Sequence, residues 1–576
     1  MLDENKGIER TNRFQDDVEN HIISNEDKET MKGVPIGVDN FKKIRSGDGY
    51  YVDKTGLISD IVARPMTEVF LFTRPRRFGK SLNMSMLDAF FSVDHKGNDW
   101  FDGLKVTSDK RSMEMMNSFP VVFLTLKGLR TESLEGFISD FRAKISDVCN
   151  RYTYLLKWDT ESNNRTKFVD LFNSASDETG LRTSLLTLSR VLYEYHGKKT
   201  IVLIDEYDNA INNSYGKDTH KDILGFMRDL LSNVLKSNDS LQFGVVTGVM
   251  QIAKENIFSG LNNLYVNNIF SKDFDEEFGF TEREIAEMLS YYGHPEKMDV
   301  VKEWYDGYRF GDADIYNPWS ILNCIQRGFE TDSYWLNEGN PTIILESMKM
   351  NGPDALRIVT DLYNGMSVEA ELNKSMVFAE LNSMEGLLSL LVGSGYLKAI
   401  ASEEGSWELK LVNKEVRDGL LKQLVTGRWK TMYMNRISKA LLEGSPEDVQ
   451  IELMNTLGAE LDSKLTRDER YYQAFTLGLL NCLTEEYYIR SEYRGGKGYA
   501  DIAIIPRNGQ GPFAIIELKD ELPGTDDDRM QSIADDALRQ IKTLRYYSDL
   551  KGLIQMYGIA TRQTDVFVAY ESIKKE

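Results

Sequence analysis

An α/β chain of several domains is the fold class that the sequence predicts: a parallel sheet with helices on both faces, a helical or winged-helix middle, and a second αβ unit at the C-terminal end. Three observations predict it. Apolar, β-branched or aromatic runs of strand length alternate with helically spaced segments through the first half. From about residue 281 the pattern turns helical, with short strand-like interruptions, and after about residue 465 strand-like runs return. At 576 residues the chain exceeds what one core holds, so about two to four domains are expected. The expected divisions are a charged mobile arm over 1–33, a first sheet domain over 34–280, a lid region over 281–430, a helical linker over 431–464 and a second αβ domain over 465–576.

The elements follow in order. The opening "MLDENKGIERTNRFQDDVEN" is polar from its first residue and has no apolar signal core. "EVFLFT" (68–73), "FPVVFLTL" (119–126), "TIVLIDE" (200–206) and "LQFGVVTG" (241–248) read as buried parallel strands. Between them, "KSLNMSMLDAFFSV" and "TSLLTLSRVLYEYHG" carry apolar residues at helical spacing. The strand–helix segment around "FPVVFLTL" separates the first and third runs, which predicts an extra strand between those two in the sheet. "TEREIAEMLSYYG" and "EGLLSLLVGSGYL" are helical, and the charged "SPEDVQIELMNTLGAEL" reads as a bridge. The last unit runs from the helix "DERYYQAFTLGLLNCL" through "YYIRSEY", "GYADIAIIP" and "PFAIIELK" to the helix "DDALRQIKTLRYY".

Composition narrows the function. No stretch reaches the roughly 18 uninterrupted apolar residues of a membrane helix, so no membrane is expected. Cys149, Cys324 and Cys482 are odd in number and far apart, which suggests neither a disulfide framework nor a zinc site and points to a reducing cytoplasm. A net charge of −21 argues against a passive nucleic-acid coat, while leaving room for a local basic groove. The five histidines show no metal-ligand spacing. "WYDGYRFGDADIYNPW" is rich in aromatics that stack on bases in some proteins, but such clusters more often pack a core.

The first constellation begins at "VFLFTRPRRFGKS" (69–81). The phosphate-loop pattern G-x-x-x-x-G-K-[ST] requires glycine at 74, where Arg74 stands. The physics survives the mismatch: a strand ends, a turn follows, and a helix opens at Lys80-Ser81, so backbone N–H groups and the helix dipole face an incoming phosphate. Gly79 permits close approach, Lys80 reaches the β- and γ-phosphates, and the Ser81 hydroxyl is placed for Mg²⁺. "TIVLIDEYD" supplies the complement, an apolar strand ending on Asp205 and Glu206. Unpaired buried carboxylates are costly. In a nucleotide site Asp205 shares the Mg²⁺ with Ser81, and Glu206 polarises the attacking water. Thr247 ends the fourth strand, where its hydroxyl is placed either to sense the γ-phosphate or as an ordinary strand exit.

The second constellation is "YADIAIIPRNGQGPFAIIELKD". Asp501 opens one expected strand and Glu517-x-Lys519 closes the next; residues two apart share a face, so Glu517 and Lys519 are neighbours and a hairpin brings Asp501 beside them. Two carboxylates hold a divalent cation, and Lys519 orients water or stabilises developing charge on a phosphodiester. The competing reading is an amphipathic strand with an ion pair on its wet face. The apolar "AIIELK" favours a cleft.

Together, "GVDNFKKIRSGDGYYVDKT", "FTRPRRFGKSLNMSML", "IVLIDEYDNAI", "TGVMQIAKENIFSGLNNL", "FGFTEREI" and "WYDGYRFG…YNPWSIL" resemble the bacterial AAA-ATPase-like family. Its members pair a P-loop NTPase domain with a C-terminal PD-(D/E)XK nuclease-like domain. The resemblance implies that Arg74 is a normal member of an RPRRFGKS loop, and that Arg74, Arg76, Arg77 and Phe78 belong to the nucleotide site with Gly79, Lys80 and Ser81. Arg76 and Arg77 supplement Lys80 on phosphate or meet another domain. Glu469 corresponds to an acid preceding the nuclease core, and Gln540 to a glutamine on the following helix. The chain departs from the family at Gln251, where relatives carry arginine, and at Tyr499, in place of the arginine of G-R-x-D. What the resemblance implies is an ATP-binding and ATP-hydrolysing protein whose nucleotide state gates a metal-dependent endonuclease acting on nucleic acid, with DNA expected. Its cofactors are ATP and Mg²⁺, with Mn²⁺ an alternative at the nuclease site; a homo-oligomer is left open. The alternative is an ATP-dependent regulatory switch whose nuclease-like domain binds nucleic acid or protein without cutting.

Overall fold

The computed structural model describes residues 31–250, 258, 263–335, 365–373, 381–401, 405–417, 431–460, 469–483 and 486–575, with scattered positions between 343 and 362. Most of the expected arm (1–33) and Gln251 lie outside the described residues.

The first sheet contains β1 (Val69–Thr73), β2 (Val121–Thr125), β3 (Thr200–Asp205), β4 (Leu241–Gly248) and β5 (Leu264–Asn267), all parallel, in the order β2-β3-β4-β1-β5. β1 and β3 are buried at every position, as continuous apolar runs require when helices cover both faces. Those helices include α1 (Lys80–Phe91), α2 (Leu134–Cys149), α3 (Ser184–His196) and α4 (His220–Leu235). A strand does separate β1 from β3, but it is β4. The strand expected there, β2, lies at the sheet edge. Order along the chain does not set order across a parallel sheet, because each crossover helix can return its strand on either side of the last. Parallel pairing aligns the strand ends: Thr73 is paired with Gly248, and Ile204 with Val246. Thr73, Asp205 and Thr247 therefore share one edge, where α/β sheets bind ligands.

The middle region begins with β6 (Phe280–Thr281) and α5 (Glu282–Tyr291). Thr281 and Glu284 close a reciprocal capping box at the start of α5. β7 (Tyr308–Phe310) and β8 (Ala313–Tyr316) complete a small sheet, β6-β8-β7, that runs into α6 (Pro318–Gln326). The aromatics of this segment are core: Tyr305, Tyr308, Phe310 and Tyr316 are buried. β9 (Val368–Ala370), α7 (Met384–Gly393) and the hairpin β10 (Leu397–Ala401)–β11 (Trp407–Leu411) follow. Buried residues of α7 and β10 share one apolar cluster with the first sheet.

The segment expected as a linker forms α8 (Thr431–Glu443) and α9 (Pro446–Glu460). Rather than bridging, these helices bury Ile437, Leu441, Val449 and Leu453 in the same core as Ile502, Ile504 and Ile516 of the last sheet. After α10 (Glu469–Leu479) come β12 (Tyr487–Gly495), β13 (Gly498–Pro506), β14 (Phe513–Asp520), α11 (Asp527–Leu544), β15 (Gly552–Arg562) and β16 (Asp565–Lys575). The sheet runs β12-β13-β14-β15-β16 and is antiparallel except for β14–β15, whose parallel pairing is made by the α11 crossover. Among the described residues no helix is long and apolar enough to cross a membrane.

Candidate functional site

At the aligned edge of the first sheet, β1 stops at Thr73 and the chain turns through residues 74–79 into α1. Arg77 and Gly79 both take left-handed backbone (φ 66° and 81°), which curls the loop so that successive N–H groups face one concavity. Lys80 is 6% exposed, and its Nζ donates to the carbonyl oxygens of Arg74 (2.9 Å) and Pro75 (2.7 Å). Burial pulls its pKa down to about 8, opposed by the nearby carboxylates of Glu206, Asp208 and Asp205.

Asp205, the last residue of β3, joins three elements. Its Oδ2 accepts from Ser81 Oγ of α1 (2.7 Å) and its Oδ1 from Thr247 Oγ1 of β4 (2.5 Å). This cluster of hard oxygen atoms beside the phosphate loop suits Mg²⁺. Glu206 leaves the strand with φ 54°, and its carboxyl is raised by burial and by Asp205. Asn209 Nδ2 donates to it (3.2 Å). Asp208 is buried and accepts the backbone N–H groups of Val249 and Met250 (2.9 Å each), while the Tyr207 hydroxyl donates to the Met250 carbonyl (2.6 Å). These bonds hold the exit of β4, and with it Thr247. A cleft of about 400 Å³ opens on this edge. Its lining includes the polar Lys80, Lys127 and Glu206 and the apolar Val52, Trp319 and Leu322, a mixture that suits a phosphate-bearing ligand with a flat base.

In the last sheet, the pairing of Ile502 with Ile516 sets Asp501 opposite Glu517, on one face. Asp501 lies inside β13 rather than at its start, and its Oδ2 accepts the Leu518 N–H (2.6 Å). Glu517 is 2% exposed; its Oε1 accepts from Lys519 Nζ (3.1 Å) and from Gln540 Nε2 of α11. Gln540 Nε2 also donates to the Tyr546 hydroxyl (3.0 Å), and Gln473 Nε2 of α10 to the Asp501 carbonyl (3.0 Å). The structure thus brings Asp501, Glu517, Lys519 and Gln540 together. Glu469 opens α10, but its side chain lies outside the described residues. Two carboxylates on one face suit a hard divalent cation.

Residues 35–258 match the family described as Predicted AAA-ATPase, and residues 467–571 match the PD-(D/E)XK nuclease superfamily. The first match falls on the parallel sheet and the second on the last sheet, and the two matched regions are termed the AAA-ATPase-like and nuclease-superfamily domains. It is also 30% identical over 327 residues to an "Uncharacterized protein in vnfD 5'region" of Azotobacter chroococcum mcd 1, a match covering 55% of this chain and 56% of that relative.

Within the AAA-ATPase-like domain one expectation is corrected. Arg74 does not face the nucleotide cleft: it is fully buried, its guanidinium lies between the rings of Phe278 and Phe310 (5.1 Å to each), and it donates to Asn267 Oδ1 (2.6 Å) and to the carbonyls of Thr73, Asn267 and Phe274. Burial lowers its pKa to about 9. The first residue past β1 points toward the neighbouring β5, so its charge closes the sheet edge and only its carbonyl meets Lys80. Arg77 stacks on Trp319 (4.2 Å), and the Arg76 carbonyl accepts from the Trp335 indole (3.1 Å) and Asn317 Nδ2 (3.4 Å). Phe78 is buried against Tyr308 and Phe310. Sequence reasoning missed Lys127 at the exit of β2, Asp208 and Gln473. Asp208, three residues after Asp205, stood in plain view within "DEYD". Lys127 and Gln473 carry no pattern to mark them.

Proposed function

We propose that the AAA-ATPase-like domain binds Mg-ATP and hydrolyses it, and that its nucleotide state gates a metal-dependent endonuclease in the C-terminal domain acting on DNA. The observation that carries the reading is the joining of Ser81, Asp205 and Thr247 beside a buried Lys80, matched in the second domain by Asp501, Glu517 and Lys519 on one sheet face. Lys80 exchanges its two loop carbonyls for phosphate oxygens, the loop N–H groups orient the phosphate tail, and Glu206, its carboxyl raised by burial, takes a proton from the attacking water. Thr247 and Asp208 hold the strand edge against which the γ-phosphate lies. In the second domain Asp501 and Glu517 are the ligands, and Lys519 orients water and offsets charge on the phosphodiester. When bound, Mg²⁺, or Mn²⁺ at the second site, supplies Lewis-acid neutralisation of phosphate charge. Gating is supported by the loop's own contacts. Arg76 and Arg77 are held by Trp335, Asn317 and Trp319 of the 281–430 lid region, and Gly395 is packed so closely on Pro75 that a Cβ there would lie 2.9 Å from the ring. Phosphate arriving at the loop thereby acts on the lid.

A second reading, an ATP-dependent switch whose nuclease-like domain binds without cutting, is favoured by one observation: Glu517 Oε1 is already engaged by Lys519 Nζ and Gln540 Nε2. A cleavage assay separates the two. The full chain is incubated with plasmid, linear duplex, single-stranded DNA and RNA, with Mg²⁺ or Mn²⁺, with and without ATP, beside Asp501→Ala. The expected result is DNA cutting that responds to ATP and vanishes in the variant. No cutting of any substrate by a chain that still binds ATP establishes the switch instead.

A further inference from the structure

We infer that the tip of the β12–β13 hairpin is a phosphate clamp that seats the nucleic-acid backbone against the Glu517 site; the inference rests on the nuclease-domain reading above. The tip reads Arg494-Gly495-Gly496-Lys497 and is pressed onto the C-terminal end of α11. A Cβ on Gly495 would lie 2.0 Å from the Tyr546 carbonyl oxygen and one on Gly496 2.2 Å from that of Arg545, and Lys497 N–H donates to the Leu544 carbonyl (2.8 Å). That contact gathers the exposed cations Arg494, Lys497 and Arg545 at one spot. Arg490, also exposed, lies four residues back along β12.

The cluster is tied to the candidate site. Tyr546, against which the tip packs, bonds Gln540, which bonds Glu517. β12 and β13 also pair Arg494 with Tyr499, so the two stand side by side on the hairpin. Tyr499 is 56% exposed, an aromatic surface beside the cations on which a base can stack.

Charge pairing separates these four cations from their neighbours. Arg539 is paired with Asp536, Lys542 with Glu571, and Arg562 with Asp527 and Asp565. Arg490, Arg494, Lys497 and Arg545 make no ion pair among the described residues, so their charge is available to an external anion. The acidic stretch that would repel a polyanion is at the other end of α11. Asp526 caps the helix there, and Asp527 is held by Arg562. Gln540 stands thirteen residues further along α11, about 20 Å away. α11 thus carries acids at its N-terminal end and, mid-helix, Asp535 and the Arg539-paired Asp536, and it meets the basic tip at its C-terminal end.

The test uses the full chain with Glu517→Ala to prevent cutting, and fluorescence anisotropy with labelled duplex DNA, single-stranded DNA and RNA across a salt series. Against that parent, Arg494→Ala/Lys497→Ala is expected to bind about tenfold more weakly at low salt, with the slope of log K against log salt reduced by about 2, one per lost phosphate contact. ATP affinity and the thermal midpoint stay unchanged, which excludes misfolding. The arm with the larger loss identifies the polymer the clamp fits. Equal affinity and equal slope in parent and variant overturn the clamp while leaving the nuclease-domain reading intact. A parent that binds none of the three polymers overturns that reading, and the clamp falls with it.

Discussion

The two candidate sites both gather carboxylates and a lysine at the end of a sheet, yet they treat water in opposite ways. In the AAA-ATPase-like domain, Lys80, Asp205, Asp208 and Thr247 are all buried and bonded to one another or to backbone. In the nuclease-superfamily domain Glu517 is buried, but Asp501 and Lys519 are partly exposed and the cations nearby stand in solvent. A small anionic ligand can be enclosed, so desolvation strengthens every contact to it. Under the proposed function a polymer has to pass through the second site, which fits a buried anchor on an open edge. The difference teaches that similar residues can be set in an enclosed or an open site, and on the proposed function the size of the ligand decides which.

The comparison breaks first along the two lysine and glutamate positions. Lys80→Ala is expected to weaken ATP binding by about 100-fold or more, by loss of a buried charge-assisted contact, and to leave DNA affinity unchanged in titrations with a fluorescent nucleotide and labelled duplex. Glu517→Ala is expected to do the reverse, lowering cleavage by about 10³-fold with ATP affinity intact. Loss of DNA affinity in Lys80→Ala, or of ATP affinity in Glu517→Ala, would mean that the two sites are one cooperative unit.

Glu206→Gln sharpens the first site. Binding of ATP is kept, and turnover measured by phosphate release falls by about 10²- to 10⁴-fold. Turnover near the parent value assigns the base elsewhere.

The smallest expected effect is in pH. Lys80, lowered to about 8 by burial, is an ammonium below that pH and neutral above it. Bound phosphate favours the ammonium, so binding above pH 8 requires proton uptake. ATP affinity is therefore expected to be flat below about 8 and to fall by up to about tenfold per unit above it. Affinity that stays flat to pH 10 would show that the lysine is solvated in the free protein.

Much of both sites was legible because the signals are local. Strand parity alone makes Glu517 and Lys519 neighbours, and a strand–turn–helix ending in Gly79-Lys80-Ser81 places N–H groups on phosphate whatever lies elsewhere. Asp205 was legible from the cost of ending a buried strand on carboxylates. Three things were not. Arg74 reads as one more phosphate-loop cation, and only β5 and the Phe278 and Phe310 rings turn it into a buried seal. "SPEDVQIELMNTLGAEL" reads as a charged bridge until the sheet that takes up Val449 and Leu453 is present. Lys127 is an isolated lysine until β2 is set beside β3.

The sequence by itself determined which residues can do chemistry, since residue type, strand parity and helix start are properties of a few neighbours. The tertiary structure alone decided which of them meet. β4 rather than β2 stands between β1 and β3, which brings Thr247 to Asp205; the α11 crossover carries Gln540 to Glu517; and the hairpin tip is set on the basic end of that helix. Each of these depends on where a chain returns after tens of residues. That choice follows from burying whole helix and sheet faces, and no local pattern encodes it.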